Sequence, residues 1–318
     1  MEYFFKEYIQ KENPNDGSIF WLQNFFSFGD QKRIATVTDV KVFQNMLIVA
    51  HRAAAKLYLM EKNNKKYNII DTLVLKIEDK FFHPDLIDVH NNYVYMTAYT
   101  EKCCVVKIQD KKFIFDRIFV IHPKNGFHGI HISKDKIYFG AQKAVGNSTF
   151  LKIFKFNKKN FQKNITINFE NRIKAIATYK DDKILLGCDN GRIMQNTFDS
   201  WIMFYKFKKD KLHLLESLKI KTAQLDGIII WKDYFFVTIH SGITKTGIIV
   251  VGMINNNKME ILKNVICNDF PHGLTIHNDE FIYSSYDRSS IVIHPLNDIF
   301  LKNDIKTNSI LDPLYNLL

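Results

Sequence analysis

A repeat constrains this chain more than any other feature. The stretch Phe270 to Leu296, FPHGLTIHNDEFIYSSYDRSSIVIHPL, returns in weaker form five times upstream. The other copies are TDVKVFQNMLIVAHRAAAKLYLM from Thr38, DLIDVHNNYVYMTAYTEKCCVVKI from Asp85, HGIHISKDKIYFGAQ from His128, KAIATYKDDKILLGC from Lys174 and DGIIIWKDYFFVTIH from Asp226. Each has a small or apolar pair, a short polar turn rich in Asn, Asp and Lys, and then a β-branched or aromatic strand. With Thr38, Asp85, His128, Lys174, Asp226 and His272 as phase markers, successive copies lie 43 to 52 residues apart. Several short strands per unit at a period of roughly 40 to 50 residues are the signature of a β-propeller. The chain is therefore expected to be all-β, with six four-stranded antiparallel blades starting near 38, 85, 128, 174, 226 and 272.

No Pro- or Gly-rich linker interrupts the copies, so 1–318 reads as a single propeller domain. Residues 1–35 precede the first copy and carry aromatic clusters at Tyr3, Phe4 and Phe5 and at Phe20, Trp21, Phe25, Phe26 and Phe28. They must pack on the ring or close it. Closure removes the exposed sheet edges of an open fold, so one terminus should supply the last outer strand. The tail DIFLKNDIKTNSILDPLYNLL is the favoured donor, with the N-terminal aromatics packed nearby.

The start MEYFFKEYIQKENPNDG has no basic segment followed by an uninterrupted apolar run and a cleavage site, and no later apolar run approaches the roughly 18 residues of a membrane span. A cytoplasmic protein is expected. Four cysteines, Cys103, Cys104, Cys188 and Cys267, form no CxxC pair for zinc or redox work and read as buried thiols. The net charge of +11 raises the question of nucleic acid, but only six of the 44 basic residues are Arg, the preferred reader of phosphates and bases. The Lys residues cluster with Asn in turns such as EKNNKKYN, as solvated hairpin tips do. Nucleic acid is disfavoured as a partner.

A propeller places chemistry where its inner strands begin, around one mouth of the central channel. The markers Thr38, Asp85, His128, Lys174, Asp226 and His272 would ring that mouth. Carboxylates and imidazoles converging in one place suit one divalent ion (Ca, Zn or Mg) or acid and base work, with no organic cofactor. Asp226, His128, His272 and Asp85 are the candidate metal ligands, and Lys174 a binder of anionic groups. The bland alternative is that these side chains are solvated or pair with one another. A second ring, at the ends of the second strands, would hold His51, Tyr99, Gln142, Asp189, His240 and Tyr286, with Arg52 beside His51, as further ligand-binding candidates. Gly follows His128, Asp226 and His272, which would leave room for a ligand at the backbone. Ala at Asp226 or His272 should then abolish binding with little loss of stability. His90, His131 and His277 lie within or just after inner strands and read as structural.

Phe270-Pro271-His272-Gly273-Leu274-Thr275-Ile276, followed by Asn278-Asp279 and Ile282-Tyr283, resembles the PNGL…SPD…LY repeat of the SMP-30/gluconolactonase family. Strictosidine-synthase-like and NHL-repeat proteins, the wider six-bladed group, have similar units. The resemblance implies a divalent metal over the channel, held in the lactonases by a Glu, the Asn of an NG motif and the Asp of a DG motif. Asp226-Gly227 matches DG, and His128-Gly129 and His272-Gly273 match NG with His for Asn. No EGP-like motif stands before the first copy, and the order of the motifs differs. The two-His, two-Asp mouth is also similar to that of zinc-bearing NHL-type lyases. Two function classes follow: a metal-dependent, lactonase-like hydrolase or lyase acting on a small polar or sugar-derived molecule, and a noncatalytic scaffold that binds a protein or glycan partner.

Overall fold

The computed structural model describes residues 2–4, 37–63, 66–123, 125–142, 149–157, 160–180, 182–190, 199–208, 210–221, 223–241, 246–286 and 290–305. They form six antiparallel blades in a ring, a six-bladed β-propeller. The inner strands are Val37–Phe43, Ile87–His90, Phe127–Ser133, Arg172–Tyr179, Gln224–Trp231 and Pro271–His277. The next strands outward are apolar without alternation, as in Met46–His51 (MLIVAH), which is buried throughout. A blade has another blade on each face, so both sides of its middle strands need apolar side chains. The outer strands alternate instead, as in Lys66–Val74, because their edge meets water.

The Asn, Asp and Lys tips predicted from sequence are tight hairpin turns. Both central residues have positive φ at Asp110–Lys111, Asn256–Asn257 and Asn278–Asp279, the conformation that two-residue hairpins need and that Asn and Asp tolerate. Between the blades lie six apolar layers. Ile48, Leu57, Val94 and Val106 pack between the first and second blades, and Val40, Val49, Ile282 and Ile291 close the ring between the first and sixth. All four cysteines are buried and free among the described residues, and burial pushes the Cys104 thiol up to about 12.

Ring closure differs from expectation. The outer strand of the sixth blade is Glu2–Phe4, which pairs antiparallel with Ser290–Pro295. The tail instead forms a short helix α1 (Leu296–Leu301), whose Leu296 and Ile299 enter the layer between the fifth and sixth blades. It then lays Asp304–Ile305 parallel onto the outer edge of the fifth blade. The physical reason is reach: the helix begins directly after the third strand of the last blade and carries the chain across to its neighbour. The aromatic cluster Phe20, Trp21, Phe25, Phe26 and Phe28 lies outside the described residues.

Side chains on the inner strands staple each blade to the next. Asp39 Oδ2 accepts from the Ile87 amide at 2.9 Å, and Asp88 Oδ2 from the Ile132 amide. His131 plays the same part towards Thr178 at 3.0 Å, with Asp88 at 3.2 Å on its other nitrogen. His90 stacks on Phe156 with ring centroids 5.0 Å apart. These imidazoles serve packing.

The glycines after the markers have a packing role too. A Cβ on Gly273 would lie 2.0 Å from Asp39 Oδ1, and one on Gly227 would lie 2.5 Å from the His272 carbonyl oxygen. The missing side chain makes room for the neighbouring blade, not for a ligand, which corrects the expectation. Gly273→Ala should therefore destabilise the fold by about 1–3 kcal/mol through overpacking against a fully buried staple. Urea unfolding measures it, and a change below about 0.5 kcal/mol would refute the close approach.

Candidate functional site

Five of the six markers owe their direction to a β-bulge. In the pairing of inner with second strands, Val37 faces His51 and Asp39 faces Ala50, so Thr38 is the extra residue. His128, Lys174 and Asp226 are skipped in the same way, and the register also breaks at His272. A bulge bends the strand and re-aims one side chain, a device common beside functional sites. Asp85 comes just before its strand, with its amide donating to the Thr97 carbonyl at 2.7 Å. Asp85, His128, Lys174, Asp226 and His272 converge, but not as a solvent-filled mouth: each is at most 5 % exposed. Six blades of large apolar side chains draw the inner strands together, so the groups press on one another.

The two histidines are held alike. His128 Nδ1 is 2.8 Å from the Lys174 carbonyl oxygen, and His272 Nδ1 is 2.7 Å from that of Thr38. A carbonyl can only accept, so both Nδ1 atoms carry the proton and both Nε2 atoms present a lone pair to the centre. Burial, against the pull of Asp226 and Asp85, pushes His272 down to about 4, and burial with the nearby Lys174 charge lowers His128. Both rings are therefore neutral at pH 7. Tyr286 stacks on His272 at 5.4 Å and Tyr99 meets His128 edge-on at 4.9 Å.

Around these rings stand the charges. Asp85 Oδ2 is 2.9 Å from His128 Nε2, and its Oδ1 is 3.5 Å from Arg52 Nη1. Lys174 Nζ lies 2.8 Å from the same His128 Nε2, 3.2 Å from the Tyr99 hydroxyl and 3.4 Å from Asp226 Oδ1. Asp226 also meets His240 Nδ1 at 2.6 Å, His272 Nε2 at 3.5 Å and the donating Gln224 amide at 2.8 Å. Burial works against both carboxylates, but for Asp85 the His128, Arg52 and His272 side chains outweigh it. For Asp226 the balance comes from His272, His240 and Lys174. Both acids are held below the usual carboxylate range. Burial lowers Lys174, with the Asp226 charge opposing.

Several contacts do not close: Gln224 Oε1, Asp226 Oδ2 and His240 Nδ1 are buried without a hydrogen bond among the described residues, and so is one oxygen of Asp85. Asp85 Oδ2 is fully buried and makes no hydrogen bond among the described residues. Its neighbour at 2.9 Å, His128 Nε2, is a lone pair, so two acceptors face each other with no proton between them. Asp85, His128 and His272 each offer a ligand atom within 4.8 Å of the others. Two imidazole nitrogens, their Nδ1 atoms fixed by backbone carbonyls, together with one carboxylate oxygen, form a donor set that fits a divalent ion. Asp226 is the next carboxylate.

The remaining sequence candidates fall into two groups. Arg52, Tyr99, Lys174, His240 and Tyr286 join the cluster. Thr38, His51 and Asp189 do not. The Thr38 hydroxyl donates to the Pro84 carbonyl at 3.2 Å, and His51 Nδ1 accepts from the Ala54 amide at 3.1 Å, pinning a turn. Asp189 is taken by Arg172 at 2.5 and 2.8 Å. Arg172, Gln224 and Phe270, the last stacked on His240 at 5.2 Å, escaped the sequence reading. Each stands two residues before a marker, and the two-residue strand period was the signal that could have found them.

The cluster has a pH consequence. His272 drops from 6.5 in the unfolded chain to about 4 in the fold, so its share of stability is present above 6.5 and lost as pH falls through 4. Asp39 is pushed from 3.8 up to about 6 by burial, against Lys41 at 2.8 Å. Its share is present below 3.8 and lost as pH rises through 6, the opposite sign. Asp39→Asn removes that opposing part. Between pH 7 and 4.5 the variant should lose about 2 kcal/mol more stability than the parent. Urea melts at the two pH values check this, and equal losses would contradict it.

No protein-family model matches the chain, and no curated protein matches it by sequence. Among the described residues, no helix is long and apolar enough to cross a membrane. Solved structures resemble it in fold. Hydrazine synthase of Kuenenia stuttgartiensis aligns with a TM-score of 0.58 at 11 % identity, over 85 % of this chain and 79 % of that one. A protein from Lactobacillus plantarum aligns with a TM-score of 0.55 at 11 % identity, over 81 % and 80 %. A Bacteroides fragilis protein provisionally named as a 6-phosphogluconolactonase aligns with a TM-score of 0.54 at 8 % identity, over 82 % and 80 %. At these identities the likeness establishes the propeller fold alone.

Proposed function

We propose that this chain is a metal-dependent hydrolase or lyase, lactonase-like in the placing of its site, that acts on a small polar or sugar-derived molecule at the channel mouth. The observation that carries the reading is the pair of facing acceptors, Asp85 Oδ2 and His128 Nε2, at 2.9 Å. A cation held by Asp85, His128 and His272 would satisfy the unbonded Asp85 oxygen, taking the His128 lone pair that now meets Lys174. Two imidazoles favour a zinc-like ion over Ca or Mg, which prefer oxygen ligands throughout. When bound, such an ion lowers the pKa of a water or polarises a carbonyl.

The chain's own residues would supply the rest. His240, held by Asp226 at 2.6 Å and stacked on Phe270, is the candidate proton carrier. Tyr286 fixes the plane of His272. A neighbouring fold that carries a lactonase name accords with this reading. Calorimetric titration of zinc into metal-free, untagged protein should give one site per chain. No binding would overturn the proposal in favour of a noncatalytic scaffold for a protein or glycan partner. The mutual pairing of Lys174, Asp226 and His240 within the buried cluster is the observation on that side.

A further inference from the structure

We propose that two copies of this chain pair through the outer strands of the first two blades, Lys66–Val74 and Lys112–Val120, about a two-fold axis. The inference does not depend on the reading of the mouth. Outer strands lie on the circumference of the ring, so a pair joined there keeps both mouths open.

The two strands stand side by side. The Phe113 amide donates to Asp71 Oδ2 at 2.6 Å, which fixes the second outer strand against the first. Ile69, Ile70 and Val74 on one strand and Ile114, Phe115 and Val120 on the other are each 38 to 54 % exposed. A bulge makes Ile70 the extra residue of its strand, so it and Ile69 both reach the surface. Together these six side chains offer water about 500 Å², near the top of the roughly 300–600 Å² range of the largest patch on a monomer. With the exposed Lys66, Asn68, Thr72 and Lys112 of the same strands, the face approaches the roughly 800 Å² that each partner gives to a standard interface.

Charge points to a second copy as the occupant. Lys inside an outer strand is a common guard against edge-to-edge pairing, and the third, fourth and fifth blades have it, at Lys163, Lys219 and Lys263. The first two outer strands carry Lys only at their first residues, Lys66 and Lys112. Between these and the strand ends, Asp71 is engaged by the Phe113 amide and Arg117 is paired with Asp116 at 2.5 Å. A chain of net charge +11 meets its own copy at least cost where lysines are few, and this face meets that condition. A two-fold axis runs the paired strands antiparallel, so Lys66 of one copy falls towards the Val74 end of the other and the like charges stay apart. The chain treats another apolar outer edge in a related way. Ile261, Leu262 and Ile266 of the fifth blade are exposed too, and there the tail lays Asp304–Ile305 onto the edge. Among the described residues, no strand pairs with the outer edge of the first or second blade.

Sedimentation equilibrium of the full chain tests the proposal. The expected result is a dimer at micromolar concentration. It should strengthen as salt rises from about 0.05 to 0.5 M, because screening relieves the repulsion between two chains of like charge. Phe115→Lys sets like charges into the apolar contact and should weaken the dimer by more than about a hundredfold. Leu214→Lys, at a similarly exposed position on the fourth blade, should leave it unchanged. Circular dichroism establishes that each variant is folded, and Val120→Lys replaces Phe115→Lys if that variant is not. A monomer at every concentration overturns the proposal and leaves the face to a different protein or to another part of this chain. Growth beyond a dimer, weakening by salt, or a dimer that survives the folded Lys variant of this face overturns it as well, and so does loss of the dimer in Leu214→Lys.

Discussion

Asp226→Ala is expected to lower folding stability by about 3–5 kcal/mol, the usual result of removing one partner from a buried ion pair. Asp226 has no exposed surface, and one carboxylate serves Lys174, His240, His272 and Gln224. Truncation leaves an ammonium at 2 % exposure with its nearest carboxylate gone. It also strands the Gln224 amide donor. From sequence alone, as a residue lining an open mouth, Asp226 should tolerate the change with little effect. Burial reverses that expectation, because in a low-dielectric interior the lost partner is not replaced by water. Asp226→Asn keeps the volume and an acceptor for Gln224, so it should lose less than the Ala variant. Urea unfolding of both variants decides the matter. A loss under about 1 kcal/mol for Asp226→Ala would mean that water reaches the cluster.

The propeller was legible because its evidence is periodic. Six copies of a strand–turn–strand unit, with Asn-Asp and Asn-Asn pairs where φ must be positive, fix blade number and hairpin positions without any knowledge of contacts. The convergence of Asp85, His128, Lys174, Asp226 and His272 was legible for the same reason, since equivalent positions in a ring share one axis. What could not be read was direction and depth. A bulge at five of the six markers decides which way the side chain points, and a bulge leaves no mark in composition. Thr38 shows the limit: it occupies the same bulge as Asp226, yet its short hydroxyl stops at the Pro84 carbonyl. The Gly after His128, Asp226 and His272 was read as space for a ligand, whereas the neighbouring blade fills that space, a contact between residues far apart in sequence. Ring closure by Glu2–Phe4 was hidden because three residues carry too little pattern to compete with a longer tail.

Two substitutions beside His128 Nε2 should move zinc affinity in opposite directions. Asp85→Asn keeps the shape but removes the ligand charge, and should weaken zinc by more than about a hundredfold, beyond the ten- to hundredfold that loss of an outer-sphere partner causes. Lys174→Met should strengthen it about tenfold. The ammonium of Lys174 now lies 2.8 Å from His128 Nε2, and because Nδ1 is committed to the Lys174 carbonyl, that lone pair is the ring's single acceptor. An ammonium and a metal ion cannot both have it. Removing the ammonium also leaves Asp226 nearby with unmatched negative charge, which adds attraction for a cation. The gain in affinity should therefore appear together with a loss of stability in the metal-free protein, a combination that simple damage to the site would not produce. Zinc titrations on the two folded variants make the comparison. If Lys174→Met weakens zinc binding as Asp85→Asn does, Lys174 supports the site instead of competing for it, and the tautomer assigned to His128 is the step in the argument that fails.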